Sequence, residues 1–281
     1  MNSPPERIDS HVHFWRYESA EYGWIDDSMQ LLRRDFLPQA VHAEMRAAGF
    51  DGCVAVQVRQ TLEETRALLA LADRHPFIAG VVGWVDLQAP DVTGQLEEFT
   101  AHPKLLGVRH IVQSEPDDFL ARSTFRRGIG VLERAGLAYD ILVYARQLPA
   151  AIDFVAAFPR QRFVLDHLGK PDIRAEAFDS WRRDLDTLAA FPNVFAKVSG
   201  LVTEAHWREW TAAGLRRYVD AALESFGADR LMIGSDWPVC TVAGAYGRVM
   251  DVVLTALAAR TAAERDAVLG GTARRFWNIS A

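Results

Sequence analysis

Eight short apolar runs rich in β-branched residues alternate with longer stretches of helical periodicity, and this alternation constrains the fold more than any other feature of the sequence. The runs are Arg7–His11, Gly52–Val56, Ile78–Trp84, Gly107–Val112, Ala138–Val143, Phe163–Asp166, Val194–Val198 and Leu231–Ser235. Between them lie amphipathic stretches such as Leu62–Asp73, Thr124–Ala135, Ala175–Phe191 and Leu215–Phe226, each long enough for the helical arm of a right-handed βαβ crossover. Gly49, Gly136 and Gly227 follow helical runs, and Pro76, Pro103, Pro159 and Pro192 stand where a helix should end before the next strand. Eight such units predict an α/β fold, a closed (β/α)8 barrel of the TIM type in one domain spanning residues 1–281, with its site at the C-terminal ends of the strands. The alternative is an open doubly wound sheet. That fold would bring a glycine-rich phosphate loop after the first strand, where this chain has two histidines.

Composition limits the partners. Apolar residues make up 49% and charged residues 24%, which supports a sizeable core. A net charge of -6 without any Lys/Arg-rich run argues against a nucleic-acid surface and for a small-molecule partner. Cys53 and Cys240 lack metal-type spacing and do not suggest a disulfide framework, which fits a reducing cytoplasm. The start, MNSPPERIDS, reads as no export signal, and no apolar run is long enough to span a membrane.

Three groups carry the chemistry. Alternate residues of a strand share a face, so Asp9, His11 and His13 are expected to project to one side, with the two histidines at the barrel mouth. Two imidazoles at that spacing can grip one metal ion, and neutral imidazole is the commonest protein ligand for zinc and related ions. The run Phe163-Val-Leu-Asp-His-Leu-Gly169 delivers His167 to the same rim, and Leu231-Met-Ile-Gly-Ser-Asp-Trp-Pro238 delivers Asp236, which can bind metal or take a proton from water. Taken singly, His167 could be a histidine satisfied by a loop carbonyl and Asp236 a helix cap. Arg109 and Lys197 are charges in apolar strand runs, which is costly unless each faces a polar cavity or a partner; substrate contact is the preferred reading over a structural ion pair. Alternation allows only one of Arg109 and His110 to face inward, and Arg109 is the choice. Gln57, Trp84 and Tyr144 end their strands, and with Trp24 from the long loop Phe14–Pro38 they are candidates for hydroxyl contacts or a wall for a sugar ring. His42, His75, His102 and His206 fall on helices or their ends and read as surface or capping residues.

The residues Ile8-Asp-Ser-His-Val-His-Phe-Trp15, Asp166-His167-Leu-Gly-Lys-Pro171 and Gly234-Ser-Asp-Trp-Pro238 resemble the amidohydrolase superfamily, in its amidohydrolase-related branch of sugar-lactone hydrolases. The resemblance implies a metal-dependent, hydrolase-like barrel in which His11, His13, His167 and Asp236 form the site and Asp236 assists the water. The strand-four Lys or Glu and the strand-five histidine of two-metal members are missing here, where the runs read Gly-Val-Arg-His-Ile and Tyr-Asp-Ile-Leu-Val. The resemblance therefore implies a single divalent ion, zinc first, which part of the branch dispenses with. The implied substrate is a sugar lactone such as an aldonolactone, opened to the sugar acid. Arg109 and Lys197 would bind the oxygen on which charge develops. A pyrone-dicarboxylate-type lactonase, a metal-dependent decarboxylase and a non-catalytic sugar-acid-binding barrel are the alternative readings.

Overall fold

Eight parallel strands pair in chain order: β1 (Ile8–Val12), β2 (Gly52–Val56), β3 (Ile78–Gly83), β4 (Leu105–His110), β5 (Ala138–Ile141), β6 (Phe163–Leu165), β7 (Val194–Val198) and β8 (Leu231–Ile233). This is a computed structural model, and it describes residues 7–279. Residues 1–6, the beginning of the stretch read above for an export signal, and residues 280–281 lie outside the described residues. The ring closes just beyond the ends of β1 and β8. Val12 bridges Trp237 in parallel, the Asp236 amide donates to the His11 carbonyl at 2.9 Å, and the His13 amide donates to the Trp237 carbonyl at 2.7 Å. The two bonds that close the barrel thus run through the backbone of three candidate site residues.

The outer layer comprises α1 (Pro38–Ala47), α2 (Leu62–Arg74), α3 (Val92–Thr100), α4 (Ser123–Arg134), α5 (Leu148–Ala156), α6 (Phe178–Ala189), the short α7 (Leu201–Glu204), α8 (Ala212–Phe226), α9 (Tyr246–Leu257), α10 (Ala262–Asp266) and α11 (Thr272–Trp277). Local sequence sets their ends. Thr61 caps α2 by accepting from the Glu64 amide at 3.2 Å, Thr211 caps α8 by accepting from the Gly214 amide at 3.1 Å, and Pro38 opens α1 where no backbone donor is needed. None of the described helices is long and apolar enough to cross a membrane.

Two apolar layers hold the barrel together. The larger lies between strands and helices. The smaller fills the barrel interior with Ile8, Val54, Val56, Val82, Leu106, Ala138, Val164 and Met232, and it continues into Ala273, Phe276 and Trp277 of α11. The last helix therefore plugs the barrel from the end opposite the candidate site. Burying a side chain the size of Phe276 is worth about 1.5–3 kcal/mol, so this plug contributes substantially to closing the interior.

The structure moves several expected boundaries. β4 starts and ends two residues earlier than the expected Gly107–Val112, because the Ile111 amide leaves the ladder for the Gln60 side chain at 2.8 Å and a short helical turn begins at Val112. β6 and β8 stop before Asp166 and Gly234, where the chain turns to present polar groups. The expectation that Asp9 shares a face with His11 and His13 is corrected. The β1–β2 register shifts between Asp9 and Val12, which breaks the alternation. Asp9 instead accepts from the Tyr246 hydroxyl of α9 at 3.0 Å and from the backbone amides of Ser235 at 2.9 Å and His11 at 3.1 Å. It is a buried brace across the β1–β8 seam.

Candidate active site

The seam, the end of β6 and the start of α7 build the site. His11 and His13 stand in chain order at the end of β1, with their Nε2 atoms 3.1 Å apart. Asp236 Oδ1 lies 3.3 Å from His13 Nε2, 3.8 Å from His11 Nε2 and 3.9 Å from His167 Nε2. His167 and Asp236 both adopt left-handed backbone conformations, at φ of 54° and 61°. Such positions cost non-glycine residues of order 1–3 kcal/mol and persist where surrounding structure enforces them, often at functional sites. Gly200, itself at φ +64°, lets the chain pass the site closely: a Cβ there would lie 2.6 Å from His167 Nδ1 and 3.2 Å from Asp236 Oδ2.

The donor chemistry fits a divalent cation. His13 Nδ1 lies 2.8 Å from the Val56 carbonyl, which can only accept, so Nδ1 carries the proton and the Nε2 lone pair faces the centre. His167 is oriented by the Ser199 hydroxyl, 2.9 Å from its Nδ1, and likewise turns Nε2 inward. His11 Nδ1 lies 3.4 Å from Asp166 Oδ1, the carboxylate–imidazole arrangement that supports metal-binding histidines. His11, His167 and Asp236 each offer a ligand atom within 4.8 Å of the others, and His13 joins them through His11 and Asp236. Ligands about 2.0–2.1 Å from zinc on a tetrahedron stand roughly 3.3 Å from one another. The edges from Asp236 to the three imidazoles and from His11 to His13, at 3.1–3.9 Å, are of that order, and His11, His167 and Asp236 are the three that converge within 4.8 Å.

Electrostatics agree with the geometry. Burial pushes His167 down to about 4 and His11 well below its ordinary value, so both rings are neutral at neutral pH. Burial works to raise the Asp236 carboxyl, but His167, His13 and His11 around it outweigh that and hold it well below the usual carboxylate range. The centre thus combines the neutral rings of His11 and His167 with one ionised carboxylate.

Beneath it lies a buried charge network. Arg109 Nη1 donates to Asp166 Oδ2 at 3.0 Å and sits 3.2 Å from His11 Nε2, while its other amino group is held by the backbone and side-chain oxygens of Gln57. Lys197 Nζ lies 2.5 Å from Asp140 Oδ2, 3.0 Å from Asp166 Oδ1 and 3.3 Å from His11 Nδ1. Burial works to raise the Asp166 carboxyl, and Lys197, His11 and Arg109 hold it well below the carboxylate range. Burial pushes Asp140 up to about 6, against the pull of Lys197.

This geometry corrects the reading of Lys197 as a substrate contact. It is fully buried below His11, its ammonium engaged by two carboxylates and lying 5.3 Å from the Trp277 ring, so it is a structural ion-pair partner. Arg109 faces inward as expected, and His110 faces the other way. There His110 accepts from Trp84 Nε1 at 3.3 Å, donates to Glu115 at 3.1 Å and stacks on Phe119. Gln57 fixes Arg109, and Trp84 fixes His110. Tyr144 lines a cavity beyond β5 and β6, whereas Trp24 is exposed and packs edge-on against Trp15. His42, His75 and His102 lie on or beside helices, His42 stacked on Phe77 and His102 beside Asp73, while His206 lines a surface cavity with Trp207. Sequence reasoning assigned no role to Asp140, Asp166 or Ser199. Asp140 carried the same signal as Arg109 and Lys197, a charge inside an apolar strand.

A parallel barrel whose C-terminal rim converges three imidazoles and a carboxylate defines a hydrolase-type, one-cation barrel. The chain belongs to the amidohydrolase family, whose model matches residues 8–279. It is 46% identical to the L-fucono-1,5-lactonase of Burkholderia multivorans over 97% of this chain and 96% of that one. With the L-fucono-1,5-lactonase of Burkholderia ambifaria it shares 38% identity over 86% of this chain and 83% of that protein. A crystal structure of an amidohydrolase from Burkholderia multivorans with bound zinc superposes with a TM-score of 0.94, at 45% identity, over 98% of this chain and all of that one.

Proposed function

We propose that this protein hydrolyses a sugar lactone, an aldonolactone such as L-fuconolactone, to the corresponding sugar acid. One observation carries the reading: an ionised Asp236 is held among three inward-facing imidazoles, in a chain 46% identical to a lactonase over nearly its whole length. His11, His13, His167 and Asp236 would hold one divalent ion, zinc as in the relative, and that ion supplies Lewis acidity toward water and the lactone carbonyl. Asp236 takes the proton as the water oxygen bonds to the carbonyl carbon. The ring C–O bond then breaks, and Asp236 returns that proton to the leaving alkoxide, so the product is a hydroxy acid. Arg109, fixed by Gln57 and Asp166 beside His11, would supply positive charge toward the carbonyl oxygen on which charge develops. On this reading a single barrel domain carries the activity, on a small molecule, in the cytoplasm.

The test is lactone opening by Asp236→Asn, followed with a pH indicator. We expect a loss of about 10²–10⁴-fold in kcat from a variant that melts like the wild type. Near-normal hydrolysis by a folded variant rejects the role of Asp236.

A further inference from the structure

A cavity of about 310 Å³ opens beside the metal-ligating centre, lined by Tyr144, Arg146, Lys170, Asp172, Arg174, Thr203 and Glu204. None of His11, His13, His167 and Asp236 is among these lining residues, and the cavity adjoins the centre through the backbone. The Lys170 amide donates to the His167 carbonyl at 2.9 Å, and Thr203 and Glu204 sit on α7, directly after the Gly200 that abuts His167 and Asp236. Inside it, Lys170 Nζ stands 3.3 Å from Glu204 Oε1, both side chains more than four-fifths shielded, and the ammonium lies 5.4 Å from the centre of the Tyr144 ring.

Two of the three cations that line this cavity are paired with carboxylates, and the third is hydrogen-bonded to backbone carbonyls. Lys170 is paired with Glu204, Arg146 with Asp117 at 3.3 Å, and Arg174 gives its donors to the carbonyls of Ala205 and Thr203. Asp172 accepts from the Ala175 amide at 3.1 Å. A hydroxyl is both donor and acceptor, so neighbouring hydroxyls complement a donor-only ammonium set beside an acceptor-only carboxylate. The tyrosine face offers the apolar wall that a sugar ring needs.

We propose that Lys170 and Glu204 are the specificity-determining residues of this site, gripping adjacent hydroxyls of the substrate ring against Tyr144. They thereby select polyhydroxylated lactones over hydroxyl-free ones. The proposal rests on the lactonase reading for the reaction, but not for the binding.

Zinc-loaded wild type, Lys170→Met and Glu204→Gln are compared in two measurements. The first is steady-state opening of L-fucono-1,5-lactone. Both variants should raise KM by about 10–100-fold, the loss expected for hydrogen bonds to charged groups, with kcat within about threefold. The second is calorimetric binding of a non-hydrolysable trihydroxylated δ-lactam against piperidin-2-one, which has no hydroxyls. Wild type should prefer the hydroxylated lactam by at least about 10-fold, and both variants should lose that preference. An unchanged KM, or a preference that survives in both variants, overturns the proposal. If wild type opens no lactone, the lactonase reading fails and the calorimetry alone decides the pocket: a preference lost in the variants sustains it, and no preference in wild type overturns it. Melting temperature and zinc content establish that each variant is folded, and Lys170→Arg with Glu204→Asp replace any variant that is not.

Discussion

At the scale of single residues, the chain places ionisable groups where water is excluded and lets their partners decide the charge state. His110 shows this away from the candidate centre. Trp84 donates to its Nδ1, so Nε2 carries the proton that it gives to Glu115. Burial lowers the affinity of His110 for a second proton below the ordinary 6.5, in spite of Glu115. The folded protein therefore binds fewer protons here than the unfolded chain, and the contribution of His110 to stability is full above about pH 6.5 and shrinks as pH falls. Urea unfolding of wild type and His110→Gln at pH 7.5, 6.5 and 5.5 checks this. The wild type should lose stability relative to the variant as pH drops, and parallel curves would refute it. Lys197 makes the same point about charge: an ammonium that sequence reasoning assigned to substrate is held by Asp140 and Asp166.

Secondary-structure elements act on the site through how closely they approach it. The start of α7 touches His167 and Asp236 because Gly200 has no side chain and accepts a left-handed conformation. Gly200→Ala should lower zinc occupancy and cut lactone opening at least about 10-fold, with a loss of stability of about 1–3 kcal/mol from overpacking and strain. Gly247→Ala, on α9 with open space around the position of a Cβ, is the control and should be neutral or slightly stabilising. Metal content and melting curves of the two variants separate a local effect from a general intolerance of alanine. The β1–β8 seam is an equally close approach. Its two backbone bonds set the distance from His13 to Asp236, and Asp9 braces it from the side of α9.

At the scale of the whole molecule, elements far apart in sequence meet at one point, so a bound ion crosslinks β1, the end of β6 and the end of β8. An ion that binds only the folded chain stabilises it by about 2.7 kcal/mol at a hundred times its dissociation constant. Removing zinc with a chelator should lower the melting temperature by roughly 5–10 °C, and restoring zinc should recover it. A melting temperature indifferent to chelation and to added zinc would show that these four residues do not hold an ion. The plug formed by Phe276 and Trp277 lies at the other end of the barrel, so barrel stability and site chemistry are drawn from opposite faces.

The sequence by itself determined the barrel and the rim. Eight apolar runs separated by helical periods admit few architectures, and His11, His13, His167 and Asp236 announce themselves because they end such runs, where barrel sites lie. The tertiary structure decided what depends on neighbours distant in sequence. Asp9 left the face shared by His11 and His13 because a register shift, invisible to alternation, interrupts β1. Lys197 became a structural partner because β5 and the turn after β6 bring carboxylates to its ammonium, and Asp140 gained its role from the same encounter. The Lys170–Glu204 pair emerged only once two loops met across a cavity. Periodicity reports which residues a single element buries. Whether a buried charge meets a substrate, a metal or an opposite charge is set by the other elements that the barrel brings against it.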